Sequence, residues 1–164
     1  MLQGKTVLLA VSGGIDAGKM PNVAQSLKNL HCNIHVLMTE NATDFAAPAA
    51  FETLTGNKCL IDTFDRNFEF SVEHVSLGKQ ADLVLIAPAA DDVIGKIANG
   101  IADDMLTTTV MSCACPILVS PSMNRNMYQN PIVQENLQKL KRFGYETIPP
   151  EEDPVEYICK KLKI

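Results

Sequence analysis

Residues 6–11 form an unbroken apolar run that stops at Ser12-Gly13-Gly14. A short run without polar alternation suits a strand covered on both faces, as in a parallel sheet. Between residues 15 and 30, Ala17, Val23, Ala24, Leu27 and Leu30 recur at helical spacing. Pro21 falls inside this stretch and should delay the helix or bend it. Further strands are read at 34–38, at 83–87 before Pro88, and at 117–119 before Ser120-Pro121. Helical patterns cover 42–54, 93–111 and 131–143, and the less regular stretch 57–70 holds a short strand at 59–61.

Strand and helix in repeated alternation predict an α/β fold: a doubly wound parallel sheet, flavodoxin-like or Rossmann-like, in three α/β/α layers. A chain of 164 residues fits a single domain, 1–164. Its last part, 149–164, reads as a stop signal (Pro149-Pro150-Glu151-Glu152-Asp153-Pro154) and a short tail helix. Ligands in such sheets bind beyond the carboxyl ends of the strands. The loops expected there are Ser12-Gly13-Gly14, Met38-Thr39, Pro88-Ala89-Ala90 and Pro121-Ser122-Met123-Asn124.

Charge narrows the function classes. A net charge of −5 argues against a nucleic-acid surface, which needs clustered Lys and Arg. The basic residues near the end (Lys139, Lys141, Arg142, Lys160, Lys161, Lys163) alternate with Leu and Ile and read as solvated helix faces. No apolar run is long enough to span a bilayer and no secretory segment follows Met1, so the expected location is cytoplasmic and off the membrane. Five scattered cysteines suit a reducing compartment, and Cys113-Ala-Cys115 alone is a weak metal signal, better read as small buried side chains.

Ser12-Gly13-Gly14 has the chemistry of an anion-binding turn, because glycines let the backbone approach and exposed amides favour negative charge. It lacks the G-x-G-x-x-G spacing, so a mononucleotide phosphate suits it better than a dinucleotide; a plain tight turn is the competing reading. His31 and His35 read as structural, whereas His74 lies in Glu73-His74-Val75-Ser76-Leu77 ahead of the third long strand and is open to either role. Asn124, beside Met123, could offer an amide to a carboxylate.

The longest motif runs from Lys96-Ile97-Ala98-Asn99-Gly100-Ile101-Ala102-Asp103-Asp104 through Leu106-Thr107-Thr108 to Pro121-Ser122-Met123-Asn124-Arg125-Asn126-Met127-Tyr128. It resembles the homo-oligomeric, flavin-containing cysteine decarboxylases, whose P-x-M-N-x-x-M-W signature appears here with Tyr128 for Trp. The resemblance covers about residues 4–150 and is nearest to the bacterial phosphopantothenoylcysteine decarboxylase type. It implies an FMN flavoprotein that oxidatively decarboxylates a cysteinyl group to an enethiol, assembled as trimers or as dodecamers of four trimers with the ligand near subunit contacts. His74 and Asn124 match the family's catalytic positions, and Met123 with Asn124 those that hold the substrate carboxylate. Positions around the cofactor match Ser12, Gly13, Gly14, Ile15, Thr39, Phe45, Ala89, Ala90, Asp92, Thr107 and Met123. No metal is implied.

Departures crowd around the expected flavin. The usual P-A-S-A-N-T reads Pro88-Ala89-Ala90-Asp91-Asp92-Val93, I-A-A-Y-K reads Ile15-Asp16-Ala17-Gly18-Lys19, and F-I-T-P-L-T-F reads Phe45-Ala46-Ala47-Pro48-Ala49-Ala50-Phe51. Asp16, Ala90, Asp91 and Asp92 count against FMN, since one like-charge pair about 6 Å apart costs roughly 3 kcal/mol at an effective dielectric near 20. Lys19 or Lys96 could offset the acids. The family's substrate-covering A-C-G sequence is missing. The alternatives are a non-catalytic, diverged or engineered member whose pocket is emptied or rebuilt for a cationic or hydroxyl-rich ligand, and an oligomeric scaffold.

Overall fold

The computed structural model describes residues 1–61 and 76–162. The strands are β1 (Thr6–Val11), β2 (Asn33–Met38), β3 (Leu83–Ala89), β4 (Ile117–Pro121) and β5 (Glu146–Thr147). They form one parallel sheet in the order β2-β1-β3-β4-β5. The helices are α1 (Met20–Asn29), α2 (Pro48–Thr55), α3 (residues 76–80), α4 (Asp91–Ala98), α5 (Met105–Ser112), α6 (Arg125–Gln129), α7 (Pro131–Arg142) and α8 (Pro154–Lys161). Two 3-10 turns, Ile15–Lys19 and Asn41–Asp44, follow β1 and β2.

Successive side chains of a strand face opposite sides of its sheet, so an all-apolar strand feeds two cores. Val7, Leu9 and Val11 of β1 join Leu27 of α1, Phe51 of α2 and Ile158 of α8 in one core. Leu8 and Ala10 join Ile94 of α4, Leu106 of α5 and Leu137 of α7 in the other. These five β1 residues are fully buried, as are Leu83, Val84 and Leu85 of β3. The result is the expected three-layer α/β/α arrangement with a flavodoxin-type strand order. The C-terminal helix α8 is an integral part of it, because Ile158 is fully buried.

Several boundaries differ from those the sequence pattern predicts. The stretch 15–30 is a 3-10 turn followed by α1, with Pro21 in the first turn, where its missing N–H costs no hydrogen bond. The stretch 42–54 splits in the same way, and α2 starts at Pro48. The stretch 93–111 is two helices. Gly100, at φ +72°, follows the Asn99 C-cap and turns the chain out of α4, and a capping box between Asp104 and Thr107 starts α5. β3 and β4 run on through Pro88 to Ala89 and to Pro121, with a register irregularity between Ile86 and Ala89, where Pro88 has no N–H for the ladder. The strand expected at 59–61 is a single bridge, Leu37 to Leu60, and β5 was not foreseen.

Candidate functional site

Strand order reverses between β1 and β3, so the chain leaves β1 towards one edge of the sheet and β3 towards the other. The loops part there and leave a crevice at the carboxyl ends. Ser12 closes its floor. Its hydroxyl, fully buried, donates to the Pro88 carbonyl at 2.5 Å and accepts from the Ala90 N–H at 2.8 Å. Its backbone N–H also donates to the Pro88 carbonyl, at 3.2 Å. Ser12 is therefore a clasp between β1 and β3, with its one proton committed.

On the β2 side, Gly13 lies against Asn41, and a Cβ at Gly13 would come within 3.0 Å of the Asn41 Cβ. Gly14, at φ +151°, turns the chain with open space where a side chain would stand. Thr39 is nearly buried, and its hydroxyl accepts from the Ala42 N–H at 3.2 Å. Ile15 and Phe45 are exposed. Ala89 is fully buried, and its carbonyl accepts from the Ser122 N–H at 3.0 Å, which ties the β3 loop to the β4 loop. Ala90 precedes α4 without a side-chain cap, and Asp92 turns its carboxylate onto the Val93 N–H at 2.9 Å.

A cleft of about 810 Å³ opens beside these loops. Met20, Pro88, Pro121, Met123, Tyr128, Pro149 and Pro150 give it apolar walls, and Asp16, Lys19, Ser122, Arg125, Glu151 and Glu152 give it charge and polarity. Asp16 is doubly held: Lys19 pairs with it at 3.0 Å, and the Ser122 hydroxyl donates a short hydrogen bond to it. That hydroxyl first, and then the Lys19 ammonium, keep the Asp16 carboxyl below its ordinary value against the opposing effect of partial burial. Lys96 is engaged elsewhere, with Asp103 at 3.2 Å.

The structure thus brings Ser12, Ala89 and Ala90 together at the crevice, Gly13 with Thr39 beside Asn41, and Met123 into the cleft. Two residues are engaged in other work. Thr107 is fully buried in the α5 capping box, where its hydroxyl donates to Asp104 Oδ1 at 2.6 Å and accepts from the N–H groups of Asp103 and Asp104. Asn124 is exposed and caps α6, its Oδ1 accepting from the Met127 N–H at 2.9 Å, which leaves its amide N–H₂ available to donate to a ligand. His74 lies outside the described residues. Ser122, Arg125, Glu151 and Glu152 were not picked out from the sequence. Ser122 and Arg125 lie inside the motif at 121–128, but the two glutamates read only as part of a stop signal, because it is β5 that brings them to the cleft. Cys113 and Cys115 are half-buried rather than buried, and among the described residues no group of three or more His, Cys, Asp or Glu could hold a metal ion.

Ser12→Ala should lower stability by about 1–3 kcal/mol with an unchanged denaturant slope, because the Ala90 N–H loses its buried partner. Asp16 has a depressed carboxyl, so its contribution is complete above its unfolded value of 3.8 and is lost as pH falls through the folded value. The melting-temperature difference between the unmodified protein and Asp16→Asn should accordingly be constant above about pH 5 and shrink under more acid conditions.

Comparison with known proteins agrees with this architecture. The chain is 41% identical over 152 residues to the coenzyme A biosynthesis bifunctional protein CoaBC of Bacillus subtilis, covering 93% of this chain and 37% of that protein. It therefore spans little more than a third of the length of this relative. It is 37% identical to a probable phosphopantothenoylcysteine decarboxylase of Streptococcus mutans, covering 90% of this chain and 83% of that one. The crystal structure of the FMN-dependent cysteine decarboxylase SpaF superposes with a TM-score of 0.89 at 32% identity, over 99% of this chain and 97% of that one. The family model described as Flavoprotein matches residues 1–162, and the chain belongs to the Flavoprotein family.

Proposed function

We propose that the protein binds FMN and uses it to decarboxylate a cysteinyl substrate to an enethiol. The observation that carries this reading is the cleft at the strand-order reversal, whose apolar wall contains Pro88 and Met123 and whose polar side begins at Asp16, two residues beyond the Gly13-Gly14 turn. Those residues fit a flavin. Pro88, Met123 and Tyr128 would hold the flat ring, and Gly13, Gly14 and Thr39 the phosphate, where nothing stands within 4 Å of a side-chain position at Gly14. Asp16 is less of an obstacle than its sequence position suggests, because Lys19 and Ser122 already engage it. Asp91 and Asp92 remain in the first turn of α4, which favours the β2 side for an anion.

The chemistry FMN supplies when bound is two-electron oxidation of the cysteinyl Cα–Cβ/thiol unit, which lets the carboxylate leave as CO2. The chain itself binds, orients and excludes water. The Asn124 amide, its carbonyl oxygen fixed by the α6 cap, is the proposed donor to the departing carboxylate, with the preceding Met123 packed against the core. His74 is the proposed acid–base group, on the strength of its sequence motif. Ser12 keeps the β1 and β3 loops at fixed separation while substrate comes and goes. The proposed assembly is a homotrimer, or four such trimers, with the site near subunit contacts; light scattering on the eluted protein reads its mass directly. Among the described residues no helix is long and apolar enough to cross a membrane. A second reading, a family member whose pocket serves another ligand, draws on the uncapped Ala90 and the two acids after it.

The purified protein should carry visible flavin absorption, or acquire it from added FMN and keep it through desalting. A protein that stays colourless overturns the FMN reading and favours the second. With FMN in place, His74→Asn should reduce turnover of a cysteinyl substrate by about 10²- to 10⁴-fold. Asn124→Asp keeps the helix cap but loses the donor, and should lower kcat/KM by roughly 10- to 100-fold with flavin retained. Unchanged CO2 release in either variant removes that residue from the mechanism.

A further inference from the structure

The charges of the cleft are not alike in availability. The Lys19 ammonium is taken up by Asp16 at 3.0 Å. Arg125, at the start of α6, lines the cleft beside Asn124 and has no ion-pair partner among the described residues. Glu151 and Glu152 line it from the loop between β5 and α8, and no cation pairs with either among the described residues. Glu152 does accept a short hydrogen bond from the Tyr157 hydroxyl, but that donor is neutral and leaves the carboxylate charge in place.

The loop that carries the two glutamates is a built frame. The Ile148 N–H donates to the Val119 carbonyl at 2.7 Å, extending the link between β5 and β4. The Glu152 N–H closes a turn on the Pro149 carbonyl at 3.0 Å. Asp153 caps α8 by accepting from the Val155 N–H at 2.9 Å, and Ile158 anchors that helix in the core. Pro149, Pro150 and Pro154 restrict the remaining backbone freedom. The backbone that carries the two carboxylates is thus held at one part of the cleft wall, while Arg125 supplies a separate positive pole from the β4–α6 side.

Resting on the decarboxylase reading above, we propose that this division of charge selects the substrate. Arg125, next to Asn124, draws the carboxylate end of a cysteinyl substrate towards the Asn124 amide, and Glu151 and Glu152 favour a cationic group adjoining the cysteine while opposing a phosphorylated or acidic one. An exposed charge pair changes an equilibrium by about two- to fivefold, so the two acids together give roughly tenfold discrimination. Because the acids are exposed, that discrimination is sensitive to salt.

The test uses two N-acetylated peptides, Ala-Lys-Cys and Ala-Glu-Cys with free carboxyl ends, titrated calorimetrically into the full chain with and without FMN, and assayed in parallel for CO2 release. The lysine peptide should bind roughly tenfold more tightly at low ionic strength, with the ratio falling towards one in about 0.5 M salt. The double variant E151Q/E152Q should abolish the preference without lowering the melting temperature, since glutamine still offers an acceptor to the Tyr157 hydroxyl. Equal affinities, no binding of either peptide, or a preference that survives the double variant would overturn the inference. Selective binding without CO2 release would sustain it and overturn the decarboxylase reading. CO2 released from both peptides with equal efficiency would do the reverse.

Discussion

The hydroxyl of Ser12 is the contact on which the site depends. Where two parallel strands send their connections to opposite edges of a sheet, the backbone groups just beyond the strand ends lose their ladder partners. At this point a buried N–H or carbonyl without a partner is destabilising. Ser12 answers both needs at once, giving its proton to Pro88 and receiving that of Ala90. The crevice is consequently open above and closed below. The Ala89–Ser122 backbone bond extends the same arrangement to β4, so three loops share one rigid base.

Above that base, electrostatics divides the site. Asp16 is held by Lys19 and by the Ser122 hydroxyl, which links the turn after β1 to the loop after β4 across the mouth of the cleft. A carboxylate that would oppose an anion if left free has become part of the wall. Among the described residues, charge is left without an ion-pair partner at Arg125 and at Glu151 and Glu152, on two different connections. The apolar surface between them, from Pro88 to Met123 and the proline pair at 149–150, suits a flat ring better than a polyanion.

Much of the fold was legible because its central strands are apolar on both faces. Residues 7–11 and 83–87 contain no polar position, a pattern that suits a doubly covered strand. Glycine turns and the Met123–Asn124 motif marked the loops for the same local reason: their chemistry is carried by the residues themselves. Helix boundaries were less legible. The pattern at 93–111 keeps helical spacing across Gly100, and the break comes from a positive φ there and a capping box three residues beyond Ile101 that periodicity does not register.

The sequence by itself determined the parallel three-layer sheet, the loops at its carboxyl edge and the kind of chemistry those loops could host, because burial pattern and turn chemistry are local properties. Tertiary structure decided what each polar group is free to do. Thr107 and Ser12 both read as ligand hydroxyls, yet one is consumed by a helix cap and the other by a clasp between strands 76 residues apart in sequence at Pro88. Likewise Glu151 and Glu152 read as part of a stop signal, and a two-residue strand makes them cleft walls. Hydrogen-bonding capacity and charge are exhausted or left available by partners distant along the chain, and only the folded molecule brings those partners into contact.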